Sequence, residues 1–346
     1  MRAMLLETIG PVRGDATPLA TVDWPEPTPG PGEVLIRVNT CGVCHTELDE
    51  IEGRTPPPRL PIIPGHQVVG RVERLGEGVE DVRVGDRVGV AWIFSACGHC
   101  DRCRRGEENL CDRFRATGRD AHGGYAEMMT APSAFVHAIP NAFDDAEAAP
   151  LLCAGAIGYR SLRLAGIEDG QRLGLTGFGA SAHLVLKLAR HRFPRSRVFV
   201  FARSEAERAF ARELGAAWAG DTAEPAPERL RAIIDTTPAW TPVVRALTNL
   251  EPGGRLVVNA IRKEDADKSA LLGLDYPRDL WLEKEIKSVA NVARADVREF
   301  LRLAAEVPLR PEVQEYPLED ANRALVELKA GVVRGAKVLR VARGDR

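Results

Sequence analysis

The chain has 346 residues, of which 45% are hydrophobic and 28% charged, and its formal net charge is -2. This composition is typical of a globular protein of about two domains, and the slight negative charge argues against a bulk nucleic-acid binder, which would be basic. No apolar run is long enough to cross a bilayer, and the N-terminus lacks the hydrophobic stretch of a signal peptide. We therefore expect a cytoplasmic protein that does not act at a membrane.

The predicted elements indicate a mixed α/β fold. In the first half, short β-branched runs are separated by Gly, Pro and Asp, as strands usually are; they are EVLIRVNTCGV, QVVGRVERLG and DRVGVAWIF. From about Leu151 strands and helices alternate, which predicts a parallel sheet with crossover helices. The strand patterns there are RLGLT, RVFVFA, LRAIIDTT and GRLVVNAI. Two helical patterns and the strand pattern AKVLRV close the chain.

Four of the seven cysteines predict a structural metal site. A clustered, odd set of cysteines without an export signal favours metal ligands over disulfides. A closed set of four sulfurs suits structural zinc, and CGHCDRCRRGEENLC supplies Cys97, Cys100, Cys103 and Cys111. An iron–sulfur cluster is the main alternative, but there the fourth cysteine follows after three residues and precedes proline. Here the gap is seven residues and Asp112 follows.

A second group of cysteines leaves several interpretations open. CGVCHTELD carries Cys41 and Cys44, His66 lies in IIPGHQVVG, and Cys153 lies in EAAPLLCAGAIGY. By spacing alone, a Cys-x-x-Cys pair is a redox dithiol, half of a zinc site or ordinary packing. A cysteine in an apolar stretch, such as Cys153, is more often a buried small hydrophobe. Three ligands from separate segments would leave a fourth position open for water or substrate.

A glycine-rich turn follows the first strand of the second half. In RLGLTGFGASAHLVLKLA the strand pattern leads into Gly177, Phe178, Gly179 and Ala180, and Ala182 takes the third small position of G-x-G-x-x-G/A. Such glycines allow a tight turn and close approach of the backbone to a pyrophosphate at a helix N-terminus. The placement between a strand and a helix predicts a dinucleotide-binding site.

Taken in order, these motifs resemble the zinc-containing alcohol dehydrogenases of the medium-chain dehydrogenase/reductase family, especially the cinnamyl-alcohol-like and yeast-like members. The resemblance covers nearly the whole chain. It rests on GVCHTELD, PGHQVVGRVERLGEGV, VGDRVGV, CGHCDRCRRGEENLC, GGYAE, APLLCAG, the glycine-rich turn and the closing strand.

The resemblance implies a domain organisation and a reaction. A GroES-like, β-rich catalytic domain would span 1–153 and 296–346, and a Rossmann domain with a doubly wound parallel sheet would span 154–295. The reaction would be reversible oxidation of an alcohol to an aldehyde or ketone, with two zinc ions per chain and NADP or NAD. A homodimer or homotetramer is expected.

The resemblance also assigns roles to individual residues. Cys44, His66 and Cys153 match the ligands of the catalytic zinc, which would polarise the bound alcohol. Thr46 matches the hydroxyl that bonds the substrate oxygen and starts the proton relay. His45 matches the position that contacts the cofactor phosphate.

Three positions carry open questions. Glutamate usually follows the zinc histidine in this family, but Gln67 stands here and adds no negative charge. Asp49 replaces the outer histidine of the relay, so it either passes the proton or belongs to a solvated acidic face, ELDEIE. Trp92 precedes Cys97 by five residues, where yeast-like members place an aromatic that narrows the substrate pocket. Alone, it is equally a core aromatic. Cys41 falls outside the pattern and is expected to be a buried thiol.

The end of the second Rossmann strand predicts a preference for NADP(H). NAD enzymes usually end this strand with an acidic residue that binds the ribose hydroxyls, but here Ala202 stands there, followed by Arg203 and Ser204. Arg203 could hold a 2′-phosphate by charge-assisted hydrogen bonds. The alternative is an ordinary exposed arginine at the start of a helix.

Two other functions remain possible from the sequence. One is a zinc-independent quinone or enoyl reductase of the same superfamily, and the three ligand matches speak against it. The other is a noncatalytic zinc protein that keeps only the lobe of Cys97 to Cys111, against which Thr46 and the glycine-rich turn speak. The substrate could be any of many alcohols or aldehydes.

Overall fold

A computed structural model of the chain describes residues 1–307, 309–331 and 334–342. Within these ranges no helix has both the length and the apolar character needed to span a membrane. The strands and helices follow one another as β1 (Arg2–Leu6), β2 (Leu19–Asp23), β3 (Glu33–Val43), α1 (His45–Ile51), β4 (Val68–Leu75), β5 (Arg87–Val90), β6 (Ile93–Ser95), α2 (Asp101–Arg104), β7 (Arg115–Ala116), β8 (Met128–Pro132), β9 (Val136–Ala138), α3 (Asp145–Pro150), α4 (Ala156–Ala165), β10 (Arg172–Thr176), α5 (Ala180–Arg192), β11 (Arg197–Phe201), α6 (Glu205–Glu213), β12 (Trp218–Gly220), β13 (Leu230–Asp235), α7 (Thr241–Asn249), β14 (Leu250–Val258), β15 (Glu285–Ser288), α8 (Arg294–Glu306), β16 (Val313–Pro317), α9 (Ala321–Lys329) and β17 (Ala336–Arg340).

The chain forms two compact units, one of residues 1–156 and 291–346 and the other of residues 157–290. Their limits lie a few residues from the borders 153/154 and 295/296 expected from the sequence, and the assignment of domain roles stays a prediction. In the first unit a seven-stranded sheet has the order β16-β17-β3-β4-β5-β9, with β8 also paired to β3. Its pairs are antiparallel except for β16 with β17.

The long strand β3 organises the first unit. It is 11 residues long and mostly buried, and Val34, Leu35 and Ile36 are fully buried in it. It pairs with β4, β8 and β17, so three segments distant in sequence meet along it. Helix α1 begins directly after β3, and the segment before β4 returns beside the end of β3. The sheet thereby brings these two segments together.

The second unit contains a six-stranded sheet of the order β12-β11-β10-β13-β14-β15, in which every pair is parallel. Strands that are buried on both faces read as continuous apolar runs, and Val198, Phe199, Val200 and Phe201 in β11 follow this rule. The strand order, with β10 and β13 adjacent at the centre, is that of a doubly wound Rossmann sheet. The predicted mixed α/β class, with a GroES-like β-rich part and a Rossmann part, is confirmed.

Candidate active site

Three predicted ligands meet in the first unit. Cys44 precedes α1, His66 lies just before β4, and Cys153 lies in a π-helical turn that follows α3. Their ligand atoms all lie within 4.8 Å of one another, and His66 Nε2 is 3.2 Å from Cys153 Sγ. Zinc with bonds of about 2.3 Å to sulfur and 2.0–2.1 Å to nitrogen would place tetrahedral ligand atoms roughly 3.4–3.8 Å apart. The donor atoms of the trio therefore fit zinc and would supply three of four tetrahedral ligands.

Glu47 contacts the ring nitrogen of His66 that faces away from Cys153. Its side chain is fully buried, and its Oε1 lies 2.5 Å from His66 Nδ1. Its Oε2 accepts the backbone N–H of Cys44 at 2.8 Å. A carboxylate on the far ring nitrogen fixes the tautomer and the orientation of a metal-binding histidine, so His66 presents Nε2 to the cluster. Glu47 was not among the site residues expected from the sequence, although an acidic residue three positions after the N-cap of a helix is a recognisable capping signal.

The electrostatics of the cluster suit a cation. A hydrogen bond with Cys153 lowers the pKa of Cys44 well below that of an ordinary thiol, with His66 acting in the same direction and burial opposing. Burial alone would lower the pKa of His66, but the Glu47 carboxylate and Cys44 raise it well above its usual value. The same hydrogen bond raises the pKa of Cys153, so without a metal ion the cluster favours one thiolate, and a bound cation would favour deprotonation of the second thiol and of His66.

Thr46 and His45 occupy the first turn of α1 with different exposure. Thr46 is buried, and its Oγ1 lies 3.6 Å from Cys44 Sγ, so its hydroxyl is brought to the cluster. His45 is exposed. Consecutive residues of a helix point in different directions, which explains why one faces the cluster and the other faces solvent.

Asp49 is held by an arginine that the sequence analysis did not consider. Its Oδ1 accepts from Arg54 Nε at 2.5 Å, and burial raises its pKa while Arg54 opposes the shift. The alternative interpretation of ELDEIE as a solvated acidic face is wrong, because Glu47, Asp49 and Glu50 are all buried. Helix α1 also packs against α9, a segment distant in sequence.

The other residues near the cluster are also placed. Gln67 is buried and lies over Gly42 so closely that a Cβ there would be 2.5 Å from Gln67 Oε1. Cys41 is fully buried, which confirms the expectation of a buried thiol, and burial raises its pKa well above the usual value. Trp92 is half-buried, with its ring centroid 5.3 Å from that of Phe114.

The four remaining cysteines form a second candidate metal site. Cys100 Sγ lies 3.5 Å from Cys103 Sγ and 3.9 Å from Cys111 Sγ, and the sulfurs of Cys97 and Cys103 are 3.8 Å apart. These separations match the roughly 3.8 Å edge of a tetrahedron with zinc–sulfur bonds of about 2.3 Å. The backbone N–H groups of His99 and Cys100 lower the pKa of Cys97 to about 5. The set fits a closed structural zinc site.

In the second unit the glycine-rich turn joins β10 to α5. Gly177 has φ +77°, and a Cβ there would lie 2.9 Å from Thr236 Oγ1, so glycine is required. Gly179 precedes Ala180, the first residue of α5, and leaves backbone N–H groups available at the helix N-terminus. Phe178 and Ala182 are buried and support the turn from within. This arrangement can bind a pyrophosphate.

The end of β11 is where the cofactor ribose is read in Rossmann sheets. Phe201 ends the strand, and the buried Ala202 follows it. Arg203 is exposed, and its backbone oxygen accepts from Arg208 Nη1 at 2.9 Å. Ser204 caps α6 and donates its hydroxyl to Glu207 Oε2 at 2.9 Å. Ser204, the second polar residue after Ala202, is therefore already engaged in a helix cap, whereas the Arg203 side chain lies at the surface.

Comparisons with known proteins agree with this picture. Residues 30–141 match the family described as the alcohol dehydrogenase GroES-like domain. The chain is 43% identical over 344 residues to the probable alcohol dehydrogenase AdhA of Mycobacterium tuberculosis (strain CDC 1551 / Oshkosh), covering 98% of this chain and 97% of that one. An alcohol dehydrogenase of Geobacillus stearothermophilus is 32% identical over 335 residues, covering 94% and 96%. The cobalt- and zinc-bound thermostable alcohol dehydrogenase from Pyrobaculum aerophilum superimposes with a TM-score of 0.86 at 27% identity, covering 98% and 99%.

A GroES-like part, a Rossmann sheet and a Cys-His-Cys cluster together define a nicotinamide-dependent dehydrogenase that acts on CH–OH groups. The chain belongs to the zinc-type alcohol dehydrogenases of the medium-chain dehydrogenase/reductase family.

Proposed function

We propose that this enzyme is a zinc-dependent alcohol dehydrogenase that prefers NADP(H). The observation that carries the proposal is the convergence of Cys44, His66 and Cys153 on one point, with the Thr46 hydroxyl beside them. Zinc held by these ligands would polarise the alcohol oxygen and lower its pKa. A second zinc, held by the four-cysteine site, would have a structural role. The need for reduced thiols in both sites favours the cytoplasm.

The chain's own residues would divide the reaction between them. Glu47 holds His66 in the tautomer that presents Nε2, and it ties the start of α1 to the same group. The Thr46 hydroxyl would accept the alcohol proton and pass its own onward. Asp49, in contact with Arg54, is proposed to lie further out on this route, with His45 near the cofactor phosphate. The carbon-bound hydrogen would leave as hydride to C4 of the nicotinamide.

The glycine-rich turn would bind the cofactor pyrophosphate. Gly177, Gly179 and Ala180 provide close backbone approach and the N-terminus of α5, and Phe178 and Ala182 fix the turn. Trp92 is proposed to line the substrate pocket. The alcohol or aldehyde is a small molecule whose identity these residues do not define.

Arg203→Ala should weaken NADP(H) far more than NAD(H). No carboxylate stands at position 202 to repel a 2′-phosphate, and the Arg203 guanidinium is exposed and can make charge-assisted hydrogen bonds. Such a bond contributes about 1.5–3 kcal/mol, roughly 10- to 150-fold in affinity. We expect the KM for NADP(H) to rise at least about tenfold and that for NAD(H) to stay nearly unchanged.

The matched control is Arg192→Ala, which removes an arginine from the end of α5 in the same unit. It should leave both KM values unchanged. Equal losses with both cofactors in the Arg203 variant, or a wild-type preference for NAD(H), would contradict the NADP(H) assignment without affecting the zinc chemistry.

We also propose a homodimer through the outer edge of the Rossmann sheet. Strand β15 is the last strand of that sheet, and all four of its residues are exposed, including Ile286 at 47%. Trp281 and Leu282, just before it, are more than half exposed. An open edge with exposed apolar side chains is suited to pairing with a second copy around a twofold axis.

Ile286→Lys should therefore convert the dimer into a monomer, because two like charges would face each other across the symmetric edge. Sedimentation velocity would measure the change. Val84→Lys, which places the same charge at an exposed β-branched residue of the other unit, is the control and should leave the assembly unchanged. An unchanged assembly in the Ile286 variant would refute the proposed interface.

Metal analysis combined with steady-state kinetics tests the proposed function. We expect about two zinc ions per chain, and loss of alcohol oxidation when the catalytic ion is removed by a chelator. Kinetics on a panel of aliphatic and aromatic alcohols and aldehydes, with both cofactors, would define the substrate. Full activity in metal-free protein would overturn the proposal.

A further inference from the structure

Glu50 is a buried carboxyl group that the proposed mechanism does not use. Its side chain is 1% exposed and lies one helical turn after Glu47 in α1. Both of its carboxyl oxygens are buried, and neither has a hydrogen-bond partner among the described residues. Burying an unpartnered polar group costs about 1–3 kcal/mol, and more when the group is charged. We therefore expect the Glu50 carboxyl group to have a hydrogen-bond partner in the working enzyme.

Trp92 carries the complementary unpartnered group. Its indole Nε1 is buried and also lacks a hydrogen-bond partner within the described ranges. Burial and the neighbouring Glu47 raise the pKa of Glu50 well above the usual carboxyl value, while His66 and the Trp92 indole oppose the rise. The indole therefore lies near the carboxyl group, although the two groups do not meet the geometry of a hydrogen bond in this structure.

In a hydrogen bond between these two groups, the indole must be the donor and the carboxyl group the acceptor. An indole N–H is a donor and never an acceptor, whereas a carboxyl group keeps an acceptor oxygen whether or not it is protonated. The pairing therefore does not depend on the charge of Glu50. It would satisfy one buried donor and one buried acceptor at the same time, which removes both desolvation costs.

We propose that Glu50 is a positioning residue that fixes the Trp92 indole by accepting its N–H. The proposal rests on the proposed function, because that function places Trp92 in the substrate pocket. The indole ring already packs against Phe114, and the Trp92 backbone oxygen accepts from Thr117 N at 2.8 Å. Glu50 holds the indole N–H edge of Trp92, which takes part in neither of these contacts. A ring fixed in this way keeps the pocket narrow and discriminates against bulky alcohols.

The consequence for specificity can be measured with Glu50→Leu and Glu50→Gln. Leucine removes the acceptor, whereas the amide oxygen of glutamine preserves it at nearly the same place. The ratio of kcat/KM for 1-butanol to that for benzyl alcohol should fall about tenfold in Glu50→Leu, mainly through KM, which corresponds to loss of one buried hydrogen bond. Glu50→Gln should retain the wild-type ratio. In a Trp92→Phe background, Glu50→Leu should cause no further change.

A spectroscopic measurement separates this proposal from the proposed function. In protein labelled with ¹⁵N-tryptophan, Trp92→Phe identifies the Trp92 indole N–H signal. That signal should shift in Glu50→Leu, which has no acceptor, and it should also move in Glu50→Gln, because the oxygens of an amide and of a carboxyl group differ as acceptors. The glutamine variant keeps the test decisive if the leucine variant does not fold.

Each outcome has a defined meaning. An unshifted Trp92 signal in the Glu50 variants overturns the pairing, even in a fully active alcohol dehydrogenase. A shifted signal with an unchanged substrate ratio shows the hydrogen bond but overturns its role in positioning the pocket. If the wild-type protein oxidised no alcohol, the proposed function would fail, and the shift of the indole signal would still decide the pairing.

Discussion

Replacing Cys153 by serine should abolish alcohol oxidation and remove one of two zinc ions, with the fold intact. A hard, poorly ionised hydroxyl replaces a soft thiolate that zinc favours. Cys153 Sγ lies 3.2 Å from His66 Nε2, so its loss opens the cluster directly. Substitutions of residues behind a metal site cost about 10- to 100-fold, and loss of a ligand itself should cost more. Metal analysis, initial rates and circular dichroism measure the three effects.

The control for this variant is Cys41→Ala. Cys41 is as deeply buried as any core residue, and it belongs to neither group of candidate ligands. The alanine variant should keep about two zinc ions and normal turnover, at a small cost in stability. Normal turnover and full metal content in Cys153→Ser would show that the ligand assignment is wrong.

The sequence predicts the ligands better than it predicts their support. Cys44, His66 and Cys153 stand in a recognisable order, and the structure brings them together. Glu47 and Glu50 are buried among residues distant in sequence, with His66 beside Glu47 and Trp92 near Glu50. Four of the six positions in ELDEIE are charged, so the local pattern favours solvent, because burial by distant segments leaves no local signal.

The same limit applies to the fold. Strands β10 and β11 lie where the patterns RLGLT and RVFVFA predict them, because strands covered on both faces of a sheet are mostly apolar. Strand β15 consists of Glu285, Ile286, Lys287 and Ser288, all exposed, and it pairs with β14 through its backbone and through the ion pair of Glu285 with Arg255. Such a strand carries no hydrophobic pattern, so only the neighbouring strand reveals it. Its exposure is also the basis of the proposed dimer.

A substitution in the four-cysteine site should lower stability and spare activity, whereas a substitution in the Cys44-His66-Cys153 site should abolish activity and spare the fold. Its lobe carries Glu108, whose carboxylate accepts from Arg294 Nε at 2.7 Å and from the Arg294 backbone N–H at 3.1 Å. Arg294 is the first residue of α8. An ion bound by the four thiols would therefore hold the lobe and, through Glu108, the start of a helix that belongs to the same unit.

Cys103→Ser should accordingly lower thermal stability while alcohol oxidation at low temperature persists. Cys103 Sγ lies within 3.8 Å of the sulfurs of both Cys97 and Cys100, so serine disrupts the cluster at its centre. Binding energy at a structural zinc site is folding energy. A loss of about 2–3 kcal/mol would lower Tm by about 3–4 °C in a chain of this size. Differential scanning calorimetry measures this shift, and metal analysis should find one zinc ion.

Cys41→Ala again serves as control, since it removes a buried thiol without touching the lobe. If Cys103→Ser lost its activity at low temperature but kept the wild-type Tm, the roles assigned to the two sites would have to be exchanged.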